Sequence, residues 1–300
     1  MRGMVTKSKA PYLFISPFFI LFAVFGLFPI GYSIAMSLFD WNITGAGAFV
    51  GLKNYVNVLS IDPFFLQAVW NTVVLLLFGS LLQHFIALPL AILINSKLVA
   101  GKEFFKTAYF LPYVTSTVAV VIIVSNLFDT NFGFVNWVIG LFGGQPVDWL
   151  GQSFGIKIAL SVVLNWKYVG WNMVIYVAGL QSIPADLYEA AEIDGAGTLR
   201  KHLSITLPQL VPVIFFAVSL SIIGGMQLFE EPYVMTGGYE NMGGDGNSGL
   251  TAAFYLMFTA FKAGRFGKAS AIAWILFVVI LALNWLNRKA TERLAGGKGR

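Results

Sequence analysis

Long stretches without Asp, Glu, Lys or Arg dominate the hydrophobic pattern of this 300-residue chain. They cover residues 11–39, 63–96, 107–128, 158–182, 203–229 and 269–287, and Lys167 is the one charge within them. A helix that crosses the hydrocarbon core of a bilayer needs roughly 20 mostly apolar residues. None of the stretches alternates in polarity every second residue, as the strands of a membrane β-barrel do. The pattern therefore predicts six transmembrane helices and an all-α polytopic membrane protein.

Composition agrees with this pattern. Only 11% of the residues are charged, whereas soluble domains average about 25%. This argues against a soluble enzyme, a nucleic-acid-binding domain and a disordered chain. The chain has no cysteine and only two histidines, His84 and His202, too few for a histidine-based metal site. We therefore expect no metal site and no catalytic residue in this chain.

The distribution of Lys and Arg predicts the orientation. Thirteen of the 19 basic residues lie on the side that holds both termini and the loops after the second and fourth predicted spans. Basic residues are enriched in cytoplasmic loops, so we expect cytoplasmic tails at 1–11 and 288–300. The run at 11–39 is too long for the apolar part of a signal peptide and is interpreted as a retained anchor. We expect one transmembrane domain over residues 1–300.

Two connections between the spans have patterns of their own. The outer loop 129–154 contains an apolar segment that predicts a short helix at Phe134–Leu141. The inner loop 182–208 predicts a helix that begins near Pro184, a turn at Gly195, and a second helical segment that leads to Pro208. A short rigid helix on the cytoplasmic face is suited to docking a partner.

The same inner loop carries a specific resemblance. Residues 189–196 read Glu-Ala-Ala-Glu-Ile-Asp-Gly-Ala, and 205–208 read Ile-Thr-Leu-Pro. This is similar to the EAA loop of binding-protein-dependent ABC importers, whose pattern is E-A-A, three residues, G, nine residues and I-x-L-P. Residues 51–55 (Gly-Leu-Lys-Asn-Tyr) and 231–238 (Glu-Pro-Tyr-Val-Met-Thr-Gly-Gly) resemble the sugar-permease branch. The chain most resembles the maltose-porter type of membrane subunit.

The resemblance implies the type I ABC importer permease fold in a bacterial or archaeal plasma (inner) membrane. It implies a translocation subunit that is not an enzyme and binds no cofactor, with ATP and Mg²⁺ held by a partner ATPase. The implied partners are a second homologous permease subunit in a heterodimer, two ATP-binding subunits, a periplasmic or lipid-anchored solute-binding protein and membrane lipid, but no nucleic acid. The chain itself has no G-x-x-x-x-G-K-[ST] nucleotide motif.

In importers of this kind the EAA helix docks into a cleft of the ATPase and transmits its movement. The coupling positions that the resemblance suggests are Glu189, Ala190, Ala191, Asp194, Gly195, Ala196 and His202. Of these, Glu189 would pair with a basic residue of the ATPase and Gly195 would make the sharp turn. The family often has an aromatic residue where His202 stands, so the contact at that point is expected to differ.

Polar and aromatic residues within the fourth predicted span suggest a binding site. Lys167 and Trp171 share a helical face because they are four residues apart, and Tyr168 lies on the adjacent stripe. The pattern fits a sugar site, and it equally fits a belt of Trp, Tyr and Lys at the membrane interface. The resemblance implies sugar contacts on the two helices that flank the EAA loop. The substrate-binding positions it suggests are Lys167, Tyr168, Trp171, Ser221, Gly224, Gly225, Gln227 and Leu228.

The expected function is ATP-driven import of a sugar, a disaccharide or an oligosaccharide, by alternating access. Lys167 keeps glycerol 3-phosphate or an acidic sugar open as the cargo. An ion-coupled secondary transporter is a further alternative. That class commonly uses buried carboxylates or broken helices in repeat-related positions, and no Asp or Glu falls within the predicted spans.

Overall fold

The computed structural model describes residues 9–96 and 98–294. The elements in chain order are α1 (Ala10–Phe22, continued by Ala23–Leu27 and Phe28–Ser37), β1 (Phe39–Asn42), β2 (Gly45–Phe49), α2 (Lys53–Val56, continued by Asn57–Ile61), α3 (Pro63–Leu75, continued by Leu76–Leu81 and Leu82–Asn95), α4 (Lys102–Val114), α5 (Thr117–Leu127), α6 (Phe134–Leu141), α7 (Ser153–Gln181), α8 (Ala185–Ile193), α9 (Thr198–Lys201, continued by His202–Thr206), α10 (Leu207–Met226), α11 (Glu230–Met235), α12 (Ala252–Met257, continued by Phe258–Lys262) and α13 (Phe266–Leu294). Two 3₁₀ turns, Gly238–Glu240 and Asp245–Asn247, lie between α11 and α12.

The predicted all-α membrane architecture is confirmed. Among the described residues, five helical stretches are long and apolar enough to cross a membrane. They are Tyr12–Ser37, Pro63–Asn95, Ser153–Gln181, Thr198–Met235 and Phe266–Arg293. The C-terminal tail predicted at 288–300 begins inside α13. Residues 1–8, 97 and 295–300, which include most of the predicted N-terminal tail, lie outside the described residues.

The predicted span at 107–128 differs from expectation, because it is a broken helix pair. α4 and α5 are bent by 92°, and Thr115 and Ser116 between them have extended backbone, with ψ of 153° and 124°. Pro112 removes one backbone donor in the last turn of α4, and the Thr115 hydroxyl donates to the Pro112 carbonyl at 2.6 Å. The number of crossings is therefore five, or six if the bent pair forms one.

The chain divides into two compact units. The first comprises the residues up to Ile61 together with Thr259–Trp274. It contains an antiparallel hairpin in which Phe39 of β1 lies opposite Phe49 of β2. This hairpin was not predicted, because its second strand is rich in glycine and alanine and lacks a strand pattern.

The Gly-Leu-Lys-Asn-Tyr segment has a structural role within this first unit. The Asn54 amide donates to the carbonyls of Ser37 and Phe39, at 2.8 and 2.9 Å. The hydroxyls of Tyr55 and Ser37 are hydrogen bonded at 2.7 Å. The segment therefore attaches the start of α2 to the end of α1 and to β1.

The second unit comprises Asp62–Phe258 and the chain from Ile275 onward. Its central element is α7, which packs against α3 and α10. Ala87 and Ala91 of α3, Met173 of α7 and Leu210 of α10 are completely or almost completely buried in one apolar cluster. A Cβ at Gly225 of α10 would lie 2.6 Å from the Ser80 hydroxyl. The absence of a side chain there therefore permits the close approach of α3 and α10.

The connection between α5 and α7 in this unit has the predicted short helix. α6 spans Phe134–Leu141, the bounds expected from the sequence. The turn that precedes it is held by the Asp129 carboxylate, which accepts hydrogen bonds from the backbone N–H groups of Phe132 and Asn131. These bonds stabilise the charged form and lower the pKa of Asp129.

Candidate functional site

A cavity of about 240 Å³ lies within the second unit, between α3, α4, α7 and α10. We refer to it as the α7 cavity. The residues that line it are Ser80, Gln83, Tyr113, Leu164, Tyr168, Trp171, Asn172, Leu220, Ser221, Gly224, Gly225 and Leu228. The lining therefore combines aromatic rings, neutral polar groups and small residues.

One wall of the α7 cavity is aromatic. The rings of Tyr113 and Trp171 stack with their centroids 4.5 Å apart and their planes at 21°. Tyr168 meets Tyr113 edge-on at 5.8 Å. Tyr168 and Trp171 come from α7, whereas Tyr113 comes from the last turn of α4, directly before the bend. The broken span thus supplies a ring to this wall, and half-buried rings of this kind suit an amphipathic ligand.

The opposite wall carries a hydrogen-bond network. The His84 ring joins the Tyr176 hydroxyl at 2.8 Å to the Ser221 hydroxyl at 2.9 Å. The Gln83 amide nitrogen donates to Ser221 Oγ at 3.1 Å and to the Ser80 carbonyl at 2.6 Å. Ser221 on α10 is therefore held at the cavity wall by two residues of α3.

Two amide oxygens in the cavity lining have no hydrogen-bond partner. They are Oε1 of Gln83 and Oδ1 of Asn172, and the two residues are only 3% and 1% exposed. The Asn172 nitrogen donates to the Tyr168 carbonyl at 3.2 Å. Each amide nitrogen faces a carbonyl, which can only accept, so the side-chain oxygen is the atom left over. Both oxygens belong to residues of the cavity lining and have less than 1 Å² of accessible surface each, in a setting where leaving an acceptor unpaired is costly.

Lys167 is not among the residues that line this cavity. Its ammonium group donates to the Thr117 hydroxyl at the start of α5 and lies 3.9 Å from Glu231 Oε1 in α11. The Tyr168 hydroxyl donates to the same carboxylate at 3.4 Å. Both charged side chains are buried, at 7% and 6% exposure. Lys167 and Glu231 therefore form a buried ion pair.

The structure brings most of the predicted substrate positions together. Tyr168, Trp171, Ser221, Gly224, Gly225 and Leu228 line the α7 cavity. Lys167 and Gln227 do not; Gln227 follows the end of α10 and is exposed.

Six lining residues are not among the predicted substrate positions: Ser80, Gln83, Tyr113, Leu164, Asn172 and Leu220. Asn172 lies on the same polar and aromatic stripe as Tyr168, whereas nothing in the sequence separates Gln83 from polar groups that pack helices together. The pattern places Glu231 in a loop, because the charge-free stretch ends at Phe229, yet Glu231 lies in α11 and is only 4% exposed. The signal that could have found it is Lys167 itself, since a charge within a span usually has a partner.

The EAA loop has the predicted helix and glycine turn. The last turn of α8 closes with hydrogen bonds from Ala196 N to Ala191 O at 2.8 Å and from Gly195 N to Glu192 O at 3.0 Å. Gly195 has φ of +71°. These are the two bonds and the left-handed residue of a Schellman motif, so the spacing between the alanine pair and the glycine matches a helix C-cap.

The exposed face of this loop carries most of the predicted coupling positions. Glu189, Ala190, Asp194 and Gly195 are exposed, whereas Ala191, Ala196 and His202 are half-buried. His202 Nδ1 lies 3.1 Å from the Thr206 hydroxyl, which also bonds the Tyr188 hydroxyl at 2.9 Å. Thr206 is completely buried. It therefore connects α8 to the start of α10.

Comparison with known proteins decides the family. Residues 87–295 match the family described as binding-protein-dependent transport system inner membrane component. The chain belongs to this family. It is 37% identical to the arabinooligosaccharides transport system permease protein AraP of Bacillus subtilis (strain 168), over 97% of this chain and 91% of the relative. It is 35% identical to the lactose transport system permease protein LacF of Rhizobium radiobacter, over 92% of this chain and 91% of that relative.

The solved structures agree on the fold. The permease resembles a chain in the crystal structure of a bacterial alginate ABC transporter in complex with an alginate pentasaccharide-bound periplasmic protein. The TM-score is 0.77 and the identity is 21%, with 97% of each chain covered. The chain therefore has the type I ABC importer permease fold. The protein is a membrane permease component of a carbohydrate ABC importer, and it acts together with other components of such a system.

Proposed function

We propose that the α7 cavity is the place where the sugar contacts this subunit during import. The observation that carries the proposal is the pairing of an aromatic wall with buried, unpartnered acceptors. A sugar presents C–H groups that pack on aromatic faces and hydroxyls that donate hydrogen bonds. The Tyr113–Trp171 stack and the Gln83 and Asn172 oxygens are arranged to receive these two features.

The cargo is proposed to be a disaccharide or an oligosaccharide. The relatives named above carry arabinooligosaccharides and lactose in their names, which supports this range of size. The cavity of about 240 Å³ holds part of such a molecule. A second homologous subunit would complete the pathway around the rest of it.

We further propose that ATP hydrolysis takes place on partner subunits and reaches this chain through α8. Two ATP-binding subunits that hold ATP and Mg²⁺ would dock against the exposed face that includes Glu189 and Asp194. The Tyr188–Thr206 hydrogen bond would transmit the movement of α8 to α10, and α10 lines the cavity. Both termini would then be cytoplasmic. A periplasmic or lipid-anchored solute-binding protein would deliver the cargo from the other side.

Uptake by the complete transporter in proteoliposomes tests the cavity proposal. The permease, its partner subunits and its binding protein are purified together, and accumulation of radiolabelled lactose, maltotriose and arabinotriose is measured with ATP inside the vesicles. Trp171→Ala is expected to lower the uptake of the transported sugar, whereas Trp166→Ala, at an exposed position on the same helix, leaves it unchanged. Equal uptake by both variants would remove the cavity from the pathway.

A further inference from the structure

The α7 cavity is lined without a single charged side chain. All twelve of its lining residues lie in the described part of the chain, and none is Asp, Glu, Lys or Arg. The polar atoms that reach it belong to amides and hydroxyls. The recognition chemistry of this surface is therefore that of neutral hydrogen bonding.

The buried charges beside the cavity, Lys167 and Glu231, have opposite signs, and the exposed Glu230 directly precedes Glu231 in the chain. Lys167 precedes the lining residue Tyr168 and its ammonium group lies 5.6 Å from that ring. Glu231, at 3.9 Å, supplies the opposite charge, and the Tyr168 hydroxyl donates to it. A buried lysine without this partner would present a positive potential to the cavity, because buried charges are poorly screened.

The two unpartnered oxygens have a preference of their own. The amide nitrogens of Gln83 and Asn172 donate hydrogen bonds that fix the orientation of both side chains. Each amide oxygen is then left without a hydrogen-bond partner. A carbonyl oxygen attracts a hydroxyl donor and repels a carboxylate or a phosphate, which has no proton to give at neutral pH. This selection does not require any contact from Lys167.

Building on the proposed function, we propose that Gln83 and Asn172 are specificity-determining residues that restrict the cargo to neutral, hydroxyl-rich sugars. Glu231 is a positioning residue that acts through Lys167: it supplies the counter-charge that compensates the buried ammonium group beside the cavity. Acidic sugars and phosphorylated polyols are therefore poor cargo for this permease, although Lys167 lies within a membrane span.

Saturation-transfer NMR on the membrane complex in lipid nanodiscs, without the binding protein, tests this directly. The probes are two trisaccharides of matched length, maltotriose as the neutral one and trigalacturonate as the acidic one. Maltotriose is expected to receive saturation about tenfold more strongly than trigalacturonate. Gln83→Leu and Asn172→Leu are expected to weaken the maltotriose signal. Asn165→Leu is the matched control, because Asn165 also has a buried, unpartnered oxygen but does not line the cavity.

Variants of the ion pair separate charge from packing. Glu231→Gln leaves Lys167 without its counter-charge and is expected to raise the trigalacturonate signal about tenfold relative to maltotriose. The double variant Lys167→Met with Glu231→Gln removes both charges and is expected to keep the preference for the neutral sugar. If the single variant does not assemble, the double variant and the amide variants still decide the question.

The outcomes separate the selectivity for neutral sugars from the role of the cavity as a sugar site. Equal signals from the two trisaccharides in the wild type, or a stronger signal from trigalacturonate, overturn the neutral selectivity and leave the cavity as a sugar site. An Asn165→Leu variant that weakens maltotriose as much as Asn172→Leu overturns the role of the cavity amides. No signal from either sugar contradicts both the inference and the proposed cargo site.

Discussion

The α7 cavity and the EAA loop are organised in opposite ways. Two residues that line the cavity have buried acceptors, Gln83 Oε1 and Asn172 Oδ1, without partners among the described residues. The EAA loop has an exposed face, and its Tyr188 and His202 side chains both hydrogen bond the buried Thr206. A site that receives a changing cargo keeps its hydrogen-bonding capacity free. The EAA loop, which is proposed to transmit movement from a partner subunit, is instead hydrogen bonded to the start of the helix that it would move.

The largest effect is expected where the EAA loop depends on one backbone conformation. Gly195→Val places a β-branched residue at φ of +71°, which costs about 1–3 kcal/mol locally and opposes the turn that ends α8. We expect sugar-dependent transport to fall about a hundredfold if that cost falls on the docked state. Co-purification of the ATP-binding subunits and uptake in proteoliposomes measure it.

Gly197→Ala is the control for this change. Gly197 has φ of −67°, and a Cβ there would meet nothing within 4 Å. It should assemble and transport like the wild type. If Gly195→Val did the same, the turn would have no part in coupling.

The second effect concerns the buried ion pair near the cavity. Glu231→Gln removes one partner and leaves Lys167 buried with an uncompensated charge, which costs about 3–5 kcal/mol. We expect a clear fall in the thermal stability of the purified complex, followed by tryptophan fluorescence. The double change Lys167→Met with Glu231→Gln should recover most of that loss. Identical melting of the single variant and the wild type would show that the pair is not formed.

The third effect is confined to the cavity. Trp171→Ala removes one ring of the aromatic stack and is expected to weaken the apparent affinity for the sugar about tenfold, with little change in ATP hydrolysis without sugar. Uptake against sugar concentration measures this change. A fall in maximal rate alone, with the affinity unchanged, would assign Trp171 to helix packing instead.

The smallest effect is expected from the hydrogen bond that links α8 to α10. Tyr188→Phe removes only the hydroxyl that bonds Thr206 at 2.9 Å, a contribution of about 1 kcal/mol. We expect about a fivefold drop in the sugar transported per ATP hydrolysed. Thr206→Val, which removes the contacts to both Tyr188 and His202, should reduce this ratio at least as much. A normal ratio in Thr206→Val would mean that the movement passes by another route.

The two regions also differ in how much of them could be predicted from the sequence. The EAA spacing is readable because a Schellman turn involves residues within six positions of one another, here Ala191 to Ala196. The short helix Phe134–Leu141 was predictable for the same reason, since its apolar pattern is local.

The cavity was only partly predictable, because its contacts join distant parts of the chain. Gln83 and Ser221 are 138 positions apart, and nothing near either residue marks the other. Pro112 indicates a kink in the span that holds Tyr113, but nothing in the sequence gives the bend of 92° or shows that it brings Tyr113 to Trp171. The burial of Glu231 was not predictable because two carboxylates end the charge-free stretch, and its partner Lys167 lies in a different predicted span.

Photolabelling during transport tests the cavity proposal most directly. A maltotriose derivative that carries a diazirine is irradiated with the complete transporter while ATP is hydrolysed, and the labelled peptides are identified by mass spectrometry. The account predicts adducts within residues 164–172 and 220–228, which Trp171→Ala reduces. Adducts confined to the turns around residues 235–245, with none in α7 or α10, would contradict it.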